Sequence, residues 1–164
     1  MRAVNKGFPI LPAGAPPGAA PAMDGPPPAA APLMASSVVA GFPSPAEQYV
    51  ERPLDLNEWL VAHPAATYFV RADGDSMVGA GIRSGDLLVV DRALEPADGC
   101  VVIAEVDGEF TVKRLRTGAE GVRLEAANPA YAPIRLAGEM ELRVFGVVTA
   151  VVHRLLPGGA AHAR

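Results

Sequence analysis

The chain has 164 residues, a length typical of one domain, and its 14 Lys and Arg against 18 Asp and Glu give a formal net charge of −4. A single cysteine excludes an internal disulfide, and the sequence contains no run of 18 apolar residues that could span a membrane. Net acidity argues against a stand-alone nucleic-acid-binding protein, because phosphate contacts need clustered Lys and Arg. We therefore expect a cytoplasmic protein with no sequence-specific DNA binding and no membrane contact.

Proline and charge divide the chain into an arm and a body. Of the 17 prolines, 11 lie before Ala46, whereas only three charged residues do. Proline runs cannot continue a helix or a sheet ladder, so we predict a disordered Pro/Ala-rich arm over residues 1–34. A short apolar segment and linker follow over 35–50, then a β-rich domain over 51–156 and a flexible tail over 157–164.

A short helix is predicted at the start of the body. Asp55 can serve as its N-cap, with Glu58 in the capping-box position, and Pro64 closes the segment. Trp59 falls on the apolar face of this helix. We expect Trp59 to be a core residue or a packing anchor rather than a ligand platform.

The rest of the body is predicted to form strands. Asp107-Gly108 is a strong hairpin dipeptide. The last apolar segment forms one long strand or two, with a bulge or bend indicated at Gly146. The spacing leaves no room for crossover helices, so a Rossmann-type sheet is a poor fit and a mainly β fold is predicted. The predicted strands are Thr67–Val70, Leu87–Val90, Cys100–Val106, Glu109–Leu115, Val122–Ala126 and Leu142–Leu155.

A candidate nucleophile follows the first of these strands, in Gly74-Asp75-Ser76-Met77. A serine beside a glycine at a strand exit can expose its hydroxyl and direct amide N–H groups toward one point. A nucleophile with an oxyanion hole requires this geometry. The alternative is an ordinary turn serine, and the residue types alone favour that alternative.

The three histidines supply neither an obvious base for this serine nor a metal site. His63 precedes a proline, His153 lies near the C-terminal end of the last predicted strand, and His162 lies in the C-terminal tail. They are far apart in the sequence and have no Cys or His at ligand spacing. We therefore expect no metal and no cofactor.

Lys113 is the better candidate for a base. It shares one face of its predicted strand with Thr111 and Leu115, which places it on a face that can be buried. Burial would lower the pKa of the lysine and leave a neutral amine that can accept a proton. A Ser–Lys pair is a known variant of the catalytic triad. The alternative is a lysine whose charged head reaches water.

Three segments, Gly74–Met77, Phe110–Lys113 and Ala40–Gly41, carry a family resemblance that covers roughly Val39 to His153. They are similar to the motifs of the LexA/UmuD family of self-cleaving serine peptidases. Further matching segments are Gly41–Ala46, Tyr49–Glu51, Asp55–Asn57, His63–Val70, Gly85–Asp91, Val106–Lys113, Asn128–Ile134 and Val144–Val148.

The resemblance implies a fold and a set of roles. The fold is a small twisted, barrel-like β-sheet with one short helix and a disordered N-terminal arm. Ser76 is the implied nucleophile, Lys113 the implied general base, and the Ala40–Gly41 peptide the implied scissile bond. Residues 35–50 are then a cleavage segment and linker, and the Ser76 amide is a candidate oxyanion donor.

The resemblance also implies partners and a cellular role. A RecA–single-stranded DNA filament is expected to stimulate self-cleavage, and both forms are expected to be homodimers. The processed form, which begins at Gly41, would then be an accessory subunit of a UmuC-type translesion DNA polymerase in SOS mutagenesis.

Three alternatives remain open. The first is a non-enzymatic module that binds a polymerase. The second is a trans-acting signal peptidase, which the missing membrane segment disfavours. The third is a LexA-like or phage-type repressor, which is disfavoured because the Pro/Ala-rich arm cannot form a DNA-binding helix-turn-helix.

Overall fold

The computed structural model describes six stretches of the chain: residues 11–12, 14–21, 30–34, 50–119, 121–136 and 140–155. The predicted scissile bond Ala40–Gly41 lies outside these residues, and so do His162 and the predicted tail over 157–164.

The described residues are mostly in strands, and the predicted mainly β fold is confirmed. The helical elements are α1 (Leu56–Leu60) and two short 3-10 turns, at Pro64–Ala66 and Val78–Ala80. The strands are β1 (Leu11–Pro12), β2 (Ala20–Pro21), β3 (Ala30–Met34), β4 (Val50–Asp55), β5 (Thr67–Arg71), β6 (Leu87–Asp91), β7 (Val101–Val106), β8 (Glu109–Gly118), β9 (Gly121–Glu125), β10 (Ile134–Arg135) and β11 (Leu142–Val152).

Among the described residues, nine strands form one sheet, in the order β10-β9-β8-β7-β11-β6-β5-β2 with β1 beside β11. The pairs are antiparallel except β1–β11, and β3 pairs with β4 in a separate two-stranded sheet. The first part of β11 pairs with β7 and its second part pairs with β6. This long strand therefore joins the half of the sheet that contains β5 to the half that contains β8.

Two backbone features agree with the sequence. Asp107 and Gly108 have φ of 49° and 86°, and two positive φ values in succession are what a type I′ hairpin turn requires. The pairing of β11 with β7 shifts register at Gly146. A Cβ at Gly146 would lie 2.9 Å from the Val90 side chain and 3.0 Å from the Asp91 carbonyl oxygen, so glycine lets β11 approach β6 closely. The predicted hairpin and bulge are both confirmed.

The core consists of two clusters of buried apolar side chains. The first contains Val70, Ala72, Met77, Ile82, Leu88, Val90, Ile103 and Phe145. The second contains Val102, Ala104, Leu115, Val122, Leu124, Leu142, Val144 and Val147. Met77 is only 1% exposed, so the residue after the candidate nucleophile is anchored in the first cluster.

The helix α1 is capped as predicted but is not packed as predicted. The Asp55 side chain accepts a hydrogen bond from the Asn57 amide at 2.8 Å, which confirms the N-cap. Trp59 is 69% exposed and α1 contains no buried residue, so the prediction that Trp59 is a core residue is wrong. A five-residue helix is little more than one turn and presents too small a face to pack. No helix in the described stretches is long and apolar enough to cross a membrane.

Three pieces of the predicted disordered arm are described, and each of them pairs with a strand of the body. β1 pairs with β11, β2 with β5, and β3 with β4. These pairings are compatible with the proline content of the pieces, because proline lacks an amide donor but is tolerated in an edge strand, where one side of the backbone needs no partner.

Candidate active site

Ser76 lies in the loop that leaves β5, just before the 3-10 turn at Val78–Ala80. Gly74 has a φ of 85°, which favours glycine and lets the chain reverse direction. The Asp73 carboxylate accepts a hydrogen bond from the Gly74 amide at 2.9 Å. The loop thus presents a half-buried serine at a strand exit, followed by a fully buried Met77.

Lys113 lies on β8, and its side chain reaches Ser76 from there. The residue is 8% exposed, and its Nζ lies 2.9 Å from Ser76 Oγ. The Nζ also lies 2.7 Å from Thr111 Oγ1 and 3.0 Å from the Val112 carbonyl oxygen. The structure therefore brings together the two predicted site residues, which are 37 positions apart, and all three partners of the lysine are uncharged oxygens.

The surroundings of Lys113 favour its neutral form. Burial lowers the pKa of Lys113, because desolvation disfavours the ammonium. A neutral amine has two N–H donors and one lone pair. Thr111 Oγ1 and the Val112 carbonyl can accept the two N–H groups, and the lone pair is then directed at the Ser76 hydroxyl. In this form Lys113 can act as a base.

A cleft of about 240 Å³ opens beside the Ser76 side chain. Arg71, Asp73 and Thr111 contribute its polar lining. Apolar side chains from four strands of the sheet, β5, β6, β7 and β8, supply much of the rest, namely Val70, Leu88, Ile103 and Phe110. Pro16 and Pro17, which precede β2, also line this cleft. An apolar cleft beside a nucleophile suits a substrate segment with small apolar side chains.

The loop that follows β9 holds the serine loop from outside. The Asn128 side chain donates a hydrogen bond to the Asp75 carbonyl at 3.0 Å, and the Tyr131 hydroxyl donates one to the Asp75 carboxylate. That bond raises the pKa of Tyr131. The Gly79 amide donates to the Ala127 carbonyl at 2.7 Å. The residues on both sides of Ser76 are thus fixed to one loop.

Only some of these contacts can be predicted from the sequence. The loop after β9 turns at Asn128-Pro129, where the Tyr131 amide donates to the Asn128 carbonyl at 3.1 Å. The contact between Thr111 and the lysine could have been found, because the two residues were placed on one strand face. No local sequence pattern predicts the contact of Tyr131 with Asp75 or that of Gly79 with Ala127.

Two histidines contact buried aspartates at the two ends of β6. Neither histidine contacts Lys113. His63 Nδ1 lies 2.6 Å from Asp91 Oδ2, and His153 Nδ1 contacts Asp86 Oδ1. Both aspartates are 3% exposed. Burial acts to raise the pKa of Asp86, but the hydrogen bonds from His153 and from the Arg83 amide outweigh it, so that this pKa is lowered.

Residues 32–149 match the Peptidase S24-like family. The chain belongs to this family. It is 55% identical to Protein SamA of Salmonella typhimurium over 115 residues, which cover 70% of this chain and 79% of that protein. It is 51% identical to Protein ImpA of Escherichia coli over 121 residues, covering 70% and 78%. It is 40% identical to LexA repressor 1 of Xanthomonas axonopodis over 117 residues, covering 71% and 58%.

These similarities confirm the predicted relationship to the LexA/UmuD family of peptidases. The family match begins at residue 32, so β1 and β2 lie outside it. The Ala40–Gly41 bond falls within the match but outside the described residues, in the connection between β3 and β4.

Proposed function

We propose that the protein is a serine endopeptidase that cuts its own Ala40–Gly41 bond, with Ser76 as nucleophile and Lys113 as general base. The observation that carries this proposal is the 2.9 Å contact between Ser76 Oγ and the Nζ of a buried lysine whose partners are uncharged. Membership of the S24-like peptidase family supports the same chemistry.

In the first half of the reaction, Lys113 accepts a proton from Ser76 and then donates it to the leaving nitrogen. The lone pair of Lys113 Nζ takes the Ser76 hydroxyl proton while Oγ bonds to the Ala40 carbonyl carbon, and the carbonyl oxygen becomes an oxyanion. The Ser76 amide is our candidate donor to that oxyanion. Nζ then gives its proton to the nitrogen of Gly41, the C–N bond breaks, and Ala40 is left as an ester on Ser76.

The second half returns the enzyme to its starting state. A water molecule gives a proton to Nζ as its oxygen bonds to the ester carbon. The ester bond breaks, Ser76 Oγ recovers the proton from Nζ, and the Ala40 fragment leaves as a carboxylic acid. Lys113 therefore acts alternately as base and acid, which requires a pKa below the usual range of a lysine.

The substrate of this reaction is part of the same chain. Residues 35–49 connect β3 to β4 and carry the bond, so the encounter with Ser76 is intramolecular and needs no capture of a separate molecule. Ala40 is small enough for a restricted pocket, and Gly41 allows a sharp bend on the leaving side.

We further propose that cleavage serves SOS mutagenesis. In this proposal a RecA–single-stranded DNA filament stimulates the cut, and the form that begins at Gly41 acts as an accessory subunit of a UmuC-type translesion polymerase. The LexA/UmuD relationship supports these roles. We also propose a homodimer, supported by exposed apolar side chains at the end of β11 and just beyond it, where Val152 is 39% and Leu155 is 86% exposed.

The test follows the product of the cut. The full chain is incubated with RecA, ATP and single-stranded DNA, and the new N-terminus is sequenced. Ser76→Ala and Lys113→Ala should abolish the fragment that begins at Gly41, with the fold checked by circular dichroism. Lys6→Ala, at the only other lysine of the chain, is the matched control and should cut normally. Continued cutting of Ser76→Ala would refute the site, and an uncut wild type would favour a non-enzymatic polymerase-binding module.

A further inference from the structure

A segment outside the family match forms part of the wall of the cleft beside Ser76. Pro16 is buried, and both Pro16 and Pro17 line the cleft. The Ala19 amide donates to the Pro16 carbonyl at 3.1 Å, and Gly18 between them has a φ of 78°. Proline followed by a glycine with positive φ is the signature of a type II turn. The segment therefore has a defined conformation where it meets the cleft.

The same segment continues from the cleft onto the edge of the sheet. β2 lies antiparallel to β5, with Ala20 opposite Phe69 and Pro21 opposite Tyr68. Ala19 packs against the first core cluster. Strand addition of this kind is a common way to bind an extended peptide, with backbone pairing for affinity and pockets for side chains.

We propose that the cleft beside Ser76 and the adjoining edge of β5 form a binding site for an extended, proline-containing apolar peptide. Its occupant in the intact chain is residues 16–21, which carry no charge. The apolar walls suit this segment, and the restricted backbone of proline reduces the entropy lost on binding.

A segment bound in this cleft would slow self-cleavage, an inference that rests on the proposed function. The Ala40–Gly41 bond has to reach Ser76 Oγ through the cleft, and Pro16 and Pro17 form part of the wall of that cleft. The two segments of one chain therefore compete for the cleft, and the rate of cutting depends on how often residues 16–21 leave it.

The experiment compares two charged substitutions one position apart in the full chain. Pro16→Asp places a carboxylate at a buried position, whereas Ala15→Asp places it at an exposed one. Hydrogen exchange of β5 is followed by mass spectrometry, with β7 as the check that the body remains folded. We expect β5 to exchange about tenfold faster or more in Pro16→Asp and at the wild-type rate in Ala15→Asp. Equal exchange of β5 in the two variants would overturn the binding site.

The second measurement is the rate at which the fragment beginning at Gly41 forms. Competition predicts faster formation in Pro16→Asp than in the wild type, and a wild-type rate in Ala15→Asp. Faster exchange with an unchanged cleavage rate would support the binding site and overturn the competition. If the wild type forms no fragment at all, the proposed function fails, and the exchange data still decide whether residues 16–21 occupy the cleft.

Discussion

Replacing Gly79 with alanine probes how the loop that carries Ser76 is held in place. A Cβ at this position would lie 2.4 Å from the Ala127 carbonyl oxygen, the same oxygen that accepts the Gly79 amide at 2.7 Å. Real Cβ atoms essentially never approach another atom within 3.0 Å. The obstacle is backbone and cannot rotate away, so the loop after β9 and the serine loop must separate.

The expected cost has two parts. The loops must move apart by about 0.6 Å or more, which weakens or breaks the hydrogen bond between them at a cost of about 1 kcal/mol. Forcing a methyl group into a close contact costs about 1 to 3 kcal/mol more. We therefore expect Gly79→Ala to destabilise the protein by about 2 to 4 kcal/mol, which lowers the Tm by roughly 4 to 16 °C for a chain of this size.

Thermal and urea denaturation measure the effect, and Gly118→Ala is the matched control. Gly118 lies in β8 with nothing within 4 Å of an added Cβ and without a left-handed φ, so this control should stay within about 0.5 kcal/mol of the wild type. Formation of the Gly41 fragment should also slow in Gly79→Ala, because Ser76 is displaced from Lys113. If Gly79→Ala matched Gly118→Ala in both stability and cutting, the claim that this close contact holds the loop would be wrong.

Three further predictions concern charge and hydrogen bonding. Thr111→Val removes the hydroxyl that lies 2.7 Å from Lys113 Nζ and keeps the shape of the side chain. Cutting should slow roughly 5- to 30-fold, which corresponds to an activation barrier about 1 to 2 kcal/mol higher. A wild-type rate in a time course of fragment formation would contradict this. The cutting rate should rise with pH and level off above the pKa of Lys113, which burial lowers. In a ¹³C-lysine NMR titration Lys113 should titrate below the ordinary lysine value of 10.5, and titration at that value would refute the argument. The pKa of Asp86 lies below its ordinary value of 3.8, so its ionised form contributes stability above that value that is lost as the pH falls through the folded pKa. His153→Ala should therefore move acid unfolding, followed by circular dichroism, to higher pH, and an unchanged midpoint would argue against the pair.

Much of the sheet could be predicted because its signals are local. Alternating apolar residues in β8, the Asp107-Gly108 turn and the bulge at Gly146 each depend on neighbours within a few positions. The contact between Ser76 and Lys113 could be predicted only through family resemblance, because the residues themselves are also compatible with a turn serine and an exposed lysine.

The remaining features depend on partners that are distant in the sequence. Tyr131 contacts Asp75 from 56 positions away, and no local pattern specifies which loop meets which. The spacing of apolar residues around Trp59 defines a helix face but not whether another element covers it. Composition predicts disorder in the arm, whereas the pairing of β2 depends on the edge of β5, which lies in another part of the chain.

The proposed cut has a consequence for the strand pair β3–β4, which extends from Ala30 opposite Asp55 to Met34 opposite Val50, with a register shift after Leu33. Cutting Ala40–Gly41 would place the two strands on different molecules. A pairing that the linker maintains at a high effective concentration would then become a bimolecular equilibrium, and dilution alone would favour separation. Departure of the fragment would uncover the edges of both β4 and β5, and bare strand edges readily pair with another chain. The fraction of molecules with unpaired β4 and β5 edges would then depend on protein concentration as well as on the rate of cutting.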